Sequence, residues 1–367
     1  MALRVGMVGA AWGAFAHLPA WRAIPGVEVT AICTSRRETA EAAATRFGVG
    51  RAFWDAALMC ADPDIDIIDC GTRPNLRLPM VLGALAHGKH VYNAWPHAPD
   101  WAGAKAIDAA WRASRTVGVS DAFSEWLPAH RQMRAMIRGG FLGRPLGGTC
   151  HFNVSLFNRP AKQFPYNWFS QKGQGVSAVR NNGGHALFAL IDLFGPIEEL
   201  IADDTQLLRE WVFPDGERIA PETNDFANCI LRFASGLALQ LQASWSMPQH
   251  DGWLIDVFGA EGRLVGASPT FPTARDYQLR GGRIGEGLEP IVLPEALLAE
   301  PGVALDWRSE PQPSYPMALS MRAMVEAIDG RGSASPDFAR ALEVERVEEA
   351  IRRSNEQRRW ISVAEVS

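Results

Sequence analysis

Three sets of residues have the types and spacing to do chemistry. The first is Gly9-Ala10-Ala11-Trp12-Gly13-Ala14, directly after an apolar run at 3–8. A glycine loop between a strand and a helix lets backbone N–H groups close on an anion, which a helix N-terminus favours. This loop departs from G-x-G-x-x-G: Gly9 holds the first position, Ala11 the second and Ala14 the third, with Gly13 as an extra. A methyl at the second position narrows the approach to a pyrophosphate, and Gly13 restores room. The second set is Thr34-Ser35-Arg36-Arg37. An NAD site usually carries Asp or Glu about 20 residues past the glycines, bonding the ribose 2′-hydroxyl. Here that position is not acidic, and arginines suit a 2′-phosphate, so NADP(H) is favoured over NAD(H). The third set is the tryptophans outside clear periodic patterns: Trp12, Trp95, Trp126, Trp168 and Trp245. Each offers a flat face and one N–H donor for stacking on a sugar or a nicotinamide. The scattered histidines form no metal-ligand spacing, and G-x-S-x-G is absent.

The elements that must position these residues follow from periodicity. Runs at 3–8, 27–33, 65–70, 90–92 and 116–119 read as buried strands. Helical patterns lie between them, at 14–23, 37–47, 79–86 and 101–113. Alternation of this kind predicts right-handed crossovers and a doubly wound parallel sheet. Farther on, strand patterns at 149–156, 226–233, 238–245 and 254–258 predict a second sheet. The Pro- and Gly-rich stretch 267–316 reads as irregular.

Composition excludes several classes. At 367 residues, with a net charge of −5, the chain is long enough for two domains and too acidic for nucleic acid as its main partner. No apolar run reaches the ~18 residues that cross a bilayer, so no membrane role is expected. The five cysteines are odd in number and lack C-x-x-C, which reads as reduced thiols in a cytoplasmic protein.

Further motifs occur in order: Asp62-Pro63-Asp64-Ile65-Asp66, Gly71-Thr72-Arg73-Pro74-Asn75, Gly88-Lys89-His90-Val91, Gly183-Gly184-His185 and Phe258-Gly259-Ala260-Glu261-Gly262. With Val8-Gly9 and His17, this set resembles the Gfo/Idh/MocA family of oxidoreductases across essentially the whole chain. The resemblance implies an N-terminal Rossmann domain, taken as 1–122. It also implies a C-terminal α/β domain, taken as 123–367, with a large open, mixed and mainly antiparallel sheet that binds substrate and forms homodimers or homotetramers. Gly71, Thr72, Arg73, Asn75, Ala94 and Pro96 join the loop and Ser35, Arg36 and Arg37 as cofactor contacts. The family's Glu-Lys-Pro is replaced by Ala94-Trp95-Pro96, so Trp95 stands where a lysine usually serves in proton transfer. Asn181 stands at the family's aspartate, and His185 keeps its histidine. On a helix Asn181 and His185 share a face. Asn181 only hydrogen-bonds, which leaves His185, with an ordinary pKa near 6.5, as the acid–base group. The family position often held by histidine after the Pro-Asn pair is Arg77.

Around this site Tyr92, His97, Glu125, Trp126, Asn153, Tyr166 and Trp168 are expected to contact substrate, with Trp245 beside them. The aromatic loop 158–168 reads as a lid or rim. The reading is an NADP-dependent dehydrogenase or reductase acting on a sugar, polyol or related carbonyl/alcohol compound. Two alternatives stand beside it: a cofactor-binding sensor without turnover, and a lyase or hydrolase that uses a bound nicotinamide transiently.

Overall fold

The alternating pattern of the first third forms a six-stranded parallel sheet in the order β3-β2-β1-β4-β5-β6. The computed structural model describes residues 2–273, 275–309 and 313–367. The strands are β1 (Leu3–Val8), β2 (Val27–Cys33), β3 (Arg51–Phe53), β4 (Ile67–Cys70), β5 (His90–Ala94) and β6 (Gly118–Asp121). Helices α1 (Leu18–Arg22), α2 (Arg37–Phe47), α3 (Ala56–Ala61), α4 (Pro74–Ala86) and α5 (Trp101–Ser114) connect them. Every residue of β4 and all but the first of β5 are buried, as expected for parallel strands covered on both faces. The short β3 and α3 lie below the length at which periodicity is readable. Helix α4 begins five residues before the predicted start. Pro74 opens it at a position where a missing N–H costs nothing, and Pro79 is carried inside.

The second sheet has nine strands: β7 (Pro145–Asn153), β8 (Ile197–Thr205), β11 (Phe226–Phe233), β12 (Ala238–Ser244), β13 (Gly252–Gly259), β14 (Gly262–Ser268), β15 (Gln278–Arg283), β16 (Glu289–Pro290) and β17 (Ile361–Ser362). β9 (Trp211–Val212) and β10 (Arg218–Ile219) form a separate ribbon. All pairs of the large sheet are antiparallel except β7 with β12, so it is mixed and mainly antiparallel. The interior row Ala202, Cys229, Leu241, Cys150 and Ile255 alternates with residues open to solvent, which include Ile230, Gln240 and Phe258. Helices α6 (Pro128–Arg138) and α7 (Gly184–Phe194) belong to the same unit as this sheet.

Part of the stretch read as irregular is ordered. It contains β15 and β16, the short helix α8 (Glu295–Leu298) and the start of α9 (Ser314–Ile328). Glycine suggested loop there, but β15 needs it: a Cβ on Gly282 would lie 2.2 Å from the Gly287 carbonyl oxygen. Residues 274 and 310–312 of this stretch lie outside the described residues.

The chain divides into one unit of residues 1–123 with 299–343 and another of 124–298 with 344–367. The boundary expected at 122/123 is refined by this return. Helix α9 packs on α1 and β6 in the first unit, Asp337 bridges to Val119, and Phe338, which begins α10 (Phe338–Gln357), packs on Gly118.

Candidate functional site

The glycine loop of the first unit is built by close backbone approach. Gly9 has φ +103°, and a Cβ there would lie 2.7 Å from the Gly71 carbonyl oxygen, so only glycine fits. Gly71 would meet the Cα of Gly13 at 3.3 Å. Gly13, not Ala11, therefore makes the tight contact, and Ala11 is exposed. The helix that follows has first-turn N–H groups without helical acceptors, which suit a pyrophosphate. Thr72 and Pro96 are linked through Arg77, which is buried and donates to the carbonyl oxygens of both. Arg73 and Asn75 begin α4 beside this link. The cradle and its donors fit a nicotinamide dinucleotide.

At the end of β2 no carboxylate stands where a ribose diol would be read. Thr34 and Thr39 share a hydroxyl–hydroxyl bond of 2.6 Å, with Thr34 donating when the Thr39 hydroxyl donates to the Arg36 carbonyl oxygen at 2.9 Å. Thr34 is half-buried, and Ser35, Arg36 and Arg37 are exposed to solvent.

A helix with wide, π-type turns, Gly13–His17, joins the loop to α1 and carries His17 into a buried network. His17 Nδ1 lies 2.8 Å from Asp69, and Nε2 lies 3.0 Å from Asp121. Trp21 donates to Asp69 at 2.7 Å, Tyr92 to Asp121 at 3.0 Å, and Trp12 from the loop to Asp121 at 3.2 Å. Burial alone would lower the His17 pKa, but the charges of Asp69 and Asp121 outweigh it and raise the value to about 10. His17 is thus an imidazolium at neutral pH. The role of this network was not read from the sequence. Its signal was acids inside buried strands, Asp69 in β4 and Asp121 in β6.

Two expected substrate contacts fall inside this unit instead. Tyr92 is fully buried on β5, edge-on to His17 and Trp21. A central parallel strand covered on both faces leaves it no open side. His97 packs edge-on against Phe338, accepts from Asn93, and is lowered to about 3 by burial and then by Arg77. Both have structural places. Ala94 and Trp95 follow at the end of β5, and Trp95 is 7% exposed.

In the second unit another π-type segment, Val179–Gly183, opens α7. Arg180 is clamped by Glu345 at 2.7 Å and Glu348 at 3.1 Å. Burial raises the Glu348 pKa well above the usual carboxylate value, and Arg180 only partly offsets this. Asn182 donates to the carbonyl oxygens of Phe152 at 3.3 Å and Ser244 at 3.0 Å. Asn181 is held more loosely, with a 3.5 Å contact to Asn182. One turn on, His185 is 9% exposed and its carbonyl oxygen accepts from Ser124 at 2.8 Å. Asn181 and His185 are thus brought onto one continuous helix, with the first in a widened turn rather than an ordinary α-helix.

The remaining expected contacts separate. Glu125 is buried and Trp126 half-buried in the short turn Phe123–Trp126, and Arg131 lies over the Trp126 ring. Asn153 bonds Gln242, whose amide continues to Asn228. It therefore belongs to the strand face alternating with the one that packs Phe152 and Ala243, away from the segment carrying Asn181. Trp245 is fully buried, packed on Phe157 and Phe169. The loop read as a lid or rim is flanked by an aromatic cluster: Phe157 stacks on Trp211 at 4.0 Å, and Phe169 gathers Tyr166 and Trp168. Tyr166 and Trp168 stay half-buried at its edge.

A six-stranded parallel sheet with a glycine cradle defines a dinucleotide-binding protein, and the comparisons place it within a family. Residues 3–120 match the oxidoreductase family with NAD-binding Rossmann fold, and 130–265 match the GFO/IDH/MocA C-terminal domain. The chain belongs to the Gfo/Idh/MocA oxidoreductases. It is 30% identical over 263 residues to a D-apiose dehydrogenase from Paraburkholderia graminis, an alignment spanning 70% of this chain and 66% of that one. Among solved structures, an NAD binding oxidoreductase from Klebsiella pneumoniae superposes with a TM-score of 0.87 at 25% identity, covering 99% of both chains. A levoglucosan dehydrogenase in complex with NADH and L-sorbose gives 0.88 at 22% identity, again over 99% of each, which shows the shared fold.

Proposed function

We propose that the protein is an NADP-dependent oxidoreductase of a sugar, polyol or related carbonyl/alcohol compound. The observation that carries this is the cradle of Gly9, Gly13 and Gly71, beside a β2 end that offers arginines and no acid. The bound dinucleotide would supply the hydride acceptor or donor. Gly9 to Ala14 hold its pyrophosphate, with Thr72, Arg73, Asn75, Ala94 and Pro96 along its length, and Arg36 and Arg37 bind the 2′-phosphate. His185 takes the hydroxyl proton when an alcohol is oxidised and returns it when a carbonyl is reduced. Asn181 and Trp95 position substrate and nicotinamide, supplying orientation rather than acid–base chemistry. Glu125, Trp126, Tyr166 and Trp168 remain the candidates for substrate contact. Named sugar dehydrogenases among the relatives support this substrate class.

Self-association into a dimer or tetramer fits the open face of the nine-stranded sheet, where Ile230 and Phe258 are exposed. Five free, buried cysteines fit a cytoplasmic setting, and no helix among the described residues is long and apolar enough to cross a membrane. A sensor without turnover is the second reading. It is favoured by Trp95 and Asn181, neither of which can carry a proton in place of the usual lysine and aspartate.

The test is absorbance at 340 nm with purified protein, NADP(H) or NAD(H), and a panel of sugars, polyols and keto compounds. Sustained change with NADP(H) is expected. Dinucleotide binding without turnover on any substrate would favour the sensor. Product formed without net cofactor change would favour the lyase or hydrolase reading.

A further inference from the structure

Trp54 is a large exposed side chain, 48% open to solvent, with no share in the core. It follows β3 directly, and Arg37 begins α2 just after β2. The two strand ends are joined by the Thr34 N–H, which donates to the Phe53 carbonyl oxygen at 3.1 Å. The Arg37 guanidinium carbon lies over the Trp54 ring, 5.2 Å from its centre. Its Nε–H donates to Glu41 at 2.8 Å. A long cationic side chain is thus held on two sides, by a ring face and by a carboxylate one helical turn on. Both Nη groups of Arg37 are left without an acceptor among the described residues. The Arg36 side chain has no hydrogen-bond or ion-pair partner among them either, although its backbone carbonyl oxygen accepts from the Thr39 hydroxyl.

From this geometry we infer that Trp54 is a specificity-determining residue: it pre-orients Arg37 so that Arg36 and Arg37 together grip the 2′-phosphate of an adenine dinucleotide. The inference rests on the dinucleotide reading above. A free arginine loses side-chain entropy when it closes on a phosphate, and one already held loses less. Glu41 takes the Nε donor and leaves the two Nη groups, whose geometry matches two phosphate oxygens. Trp54 acts through Arg37 and need not touch the ligand. Its effect is therefore confined to dinucleotides that carry the phosphate.

The test measures NADPH and NADH affinity by titration calorimetry for the wild type, Trp54→Ala and Trp54→Phe, with thermal melts to verify folding. Trp54→Ala is expected to weaken NADPH binding about three- to tenfold, the scale of one partly exposed cation–π contact and its ordering. NADH binding should not move. Trp54→Phe, which keeps a ring face, should recover most of the loss. Equal weakening of both dinucleotides overturns the inference, because it would mean packing or adenine stacking. An unchanged NADPH-to-NADH ratio, or a loss in Trp54→Phe as large as in Trp54→Ala, also overturns it. A wild type that binds NADH and not NADPH refutes this inference while leaving the dinucleotide reading intact. One that binds neither refutes both.

Discussion

Each unit opens a helix with a widened turn, and the two turns hold their side chains in opposite ways. In the first unit, Gly13–His17 sends His17 onto two aspartates that also collect Trp12, Trp21 and Tyr92. In the second, Val179–Gly183 pins Arg180 and Asn182 but leaves Asn181 with one long contact. Wide turns recur at functional sites because they displace consecutive side chains from ordinary helical positions. The difference teaches how to tell scaffold from chemistry. A histidine whose two nitrogens are both bound to carboxylates cannot exchange a proton near neutrality. That contrast is why the acid–base role is proposed for His185 and not for His17.

The largest effect that would break this comparison lies at His185. His185→Ala should lower kcat by about 10²- to 10⁴-fold, with a loss in urea stability of about 0.5–3 kcal/mol. Turnover that survives the change, measured at 340 nm, would remove His185 from acid–base work.

His17→Ala should do the reverse. It strands two buried carboxylates, and urea unfolding should show a loss of about 3–5 kcal/mol. The pH dependence has a definite sign. The folded pKa lies above the unfolded value, so the contribution of His17 is complete below pH 6.5 and disappears as pH rises through about 10. Thermal melts from pH 6 to 10 should fall more steeply for the wild type than for His17→Ala. Parallel curves would mean that the site does not hold an imidazolium.

Glu345→Gln tests the second turn. Loss of charge-assisted bonds to Arg180 should cost about 1.5–3 kcal/mol, with a smaller fall in kcat than at His185. A kcat unchanged while stability drops would show that Arg180 serves folding alone. The smallest effect is expected at Arg36→Ala, where NADPH affinity should fall about tenfold with NADH unaffected. Equal affinities for the two dinucleotides in the wild type would sink the NADP preference.

The legible parts of the sequence were those where local pattern and tertiary role agree. The bounds of β2, α2 and β11 are those that periodicity predicts. The glycine loop was readable because a strand, a turn and a helix follow in order. Tyr92, His97, Asn153 and Trp245 were misplaced for one reason: a polar or aromatic side chain looks alike in sequence whether it faces a cleft or a satisfied interior. Tyr92 sits in a strand buried on both faces, and Asn153 is one residue out of phase with the helix-covered face. The His17 network joins residues 17, 69, 92 and 121, a separation that no local pattern reports. Trp54 follows β3, a strand of three residues, too short for periodicity to mark its place.

The return of residues 299–343 to the first unit has a consequence for synthesis. The ribosome releases β1 to β6 first, yet α9 and Phe338 emerge only after the intervening sheet of the second unit. At roughly 5–20 residues per second, the delay is on the order of 10–40 s. During it, the faces of α1 and Gly118 that α9 and Phe338 will cover stay open to water and to chaperones. The part of the protein that begins first is completed nearly last.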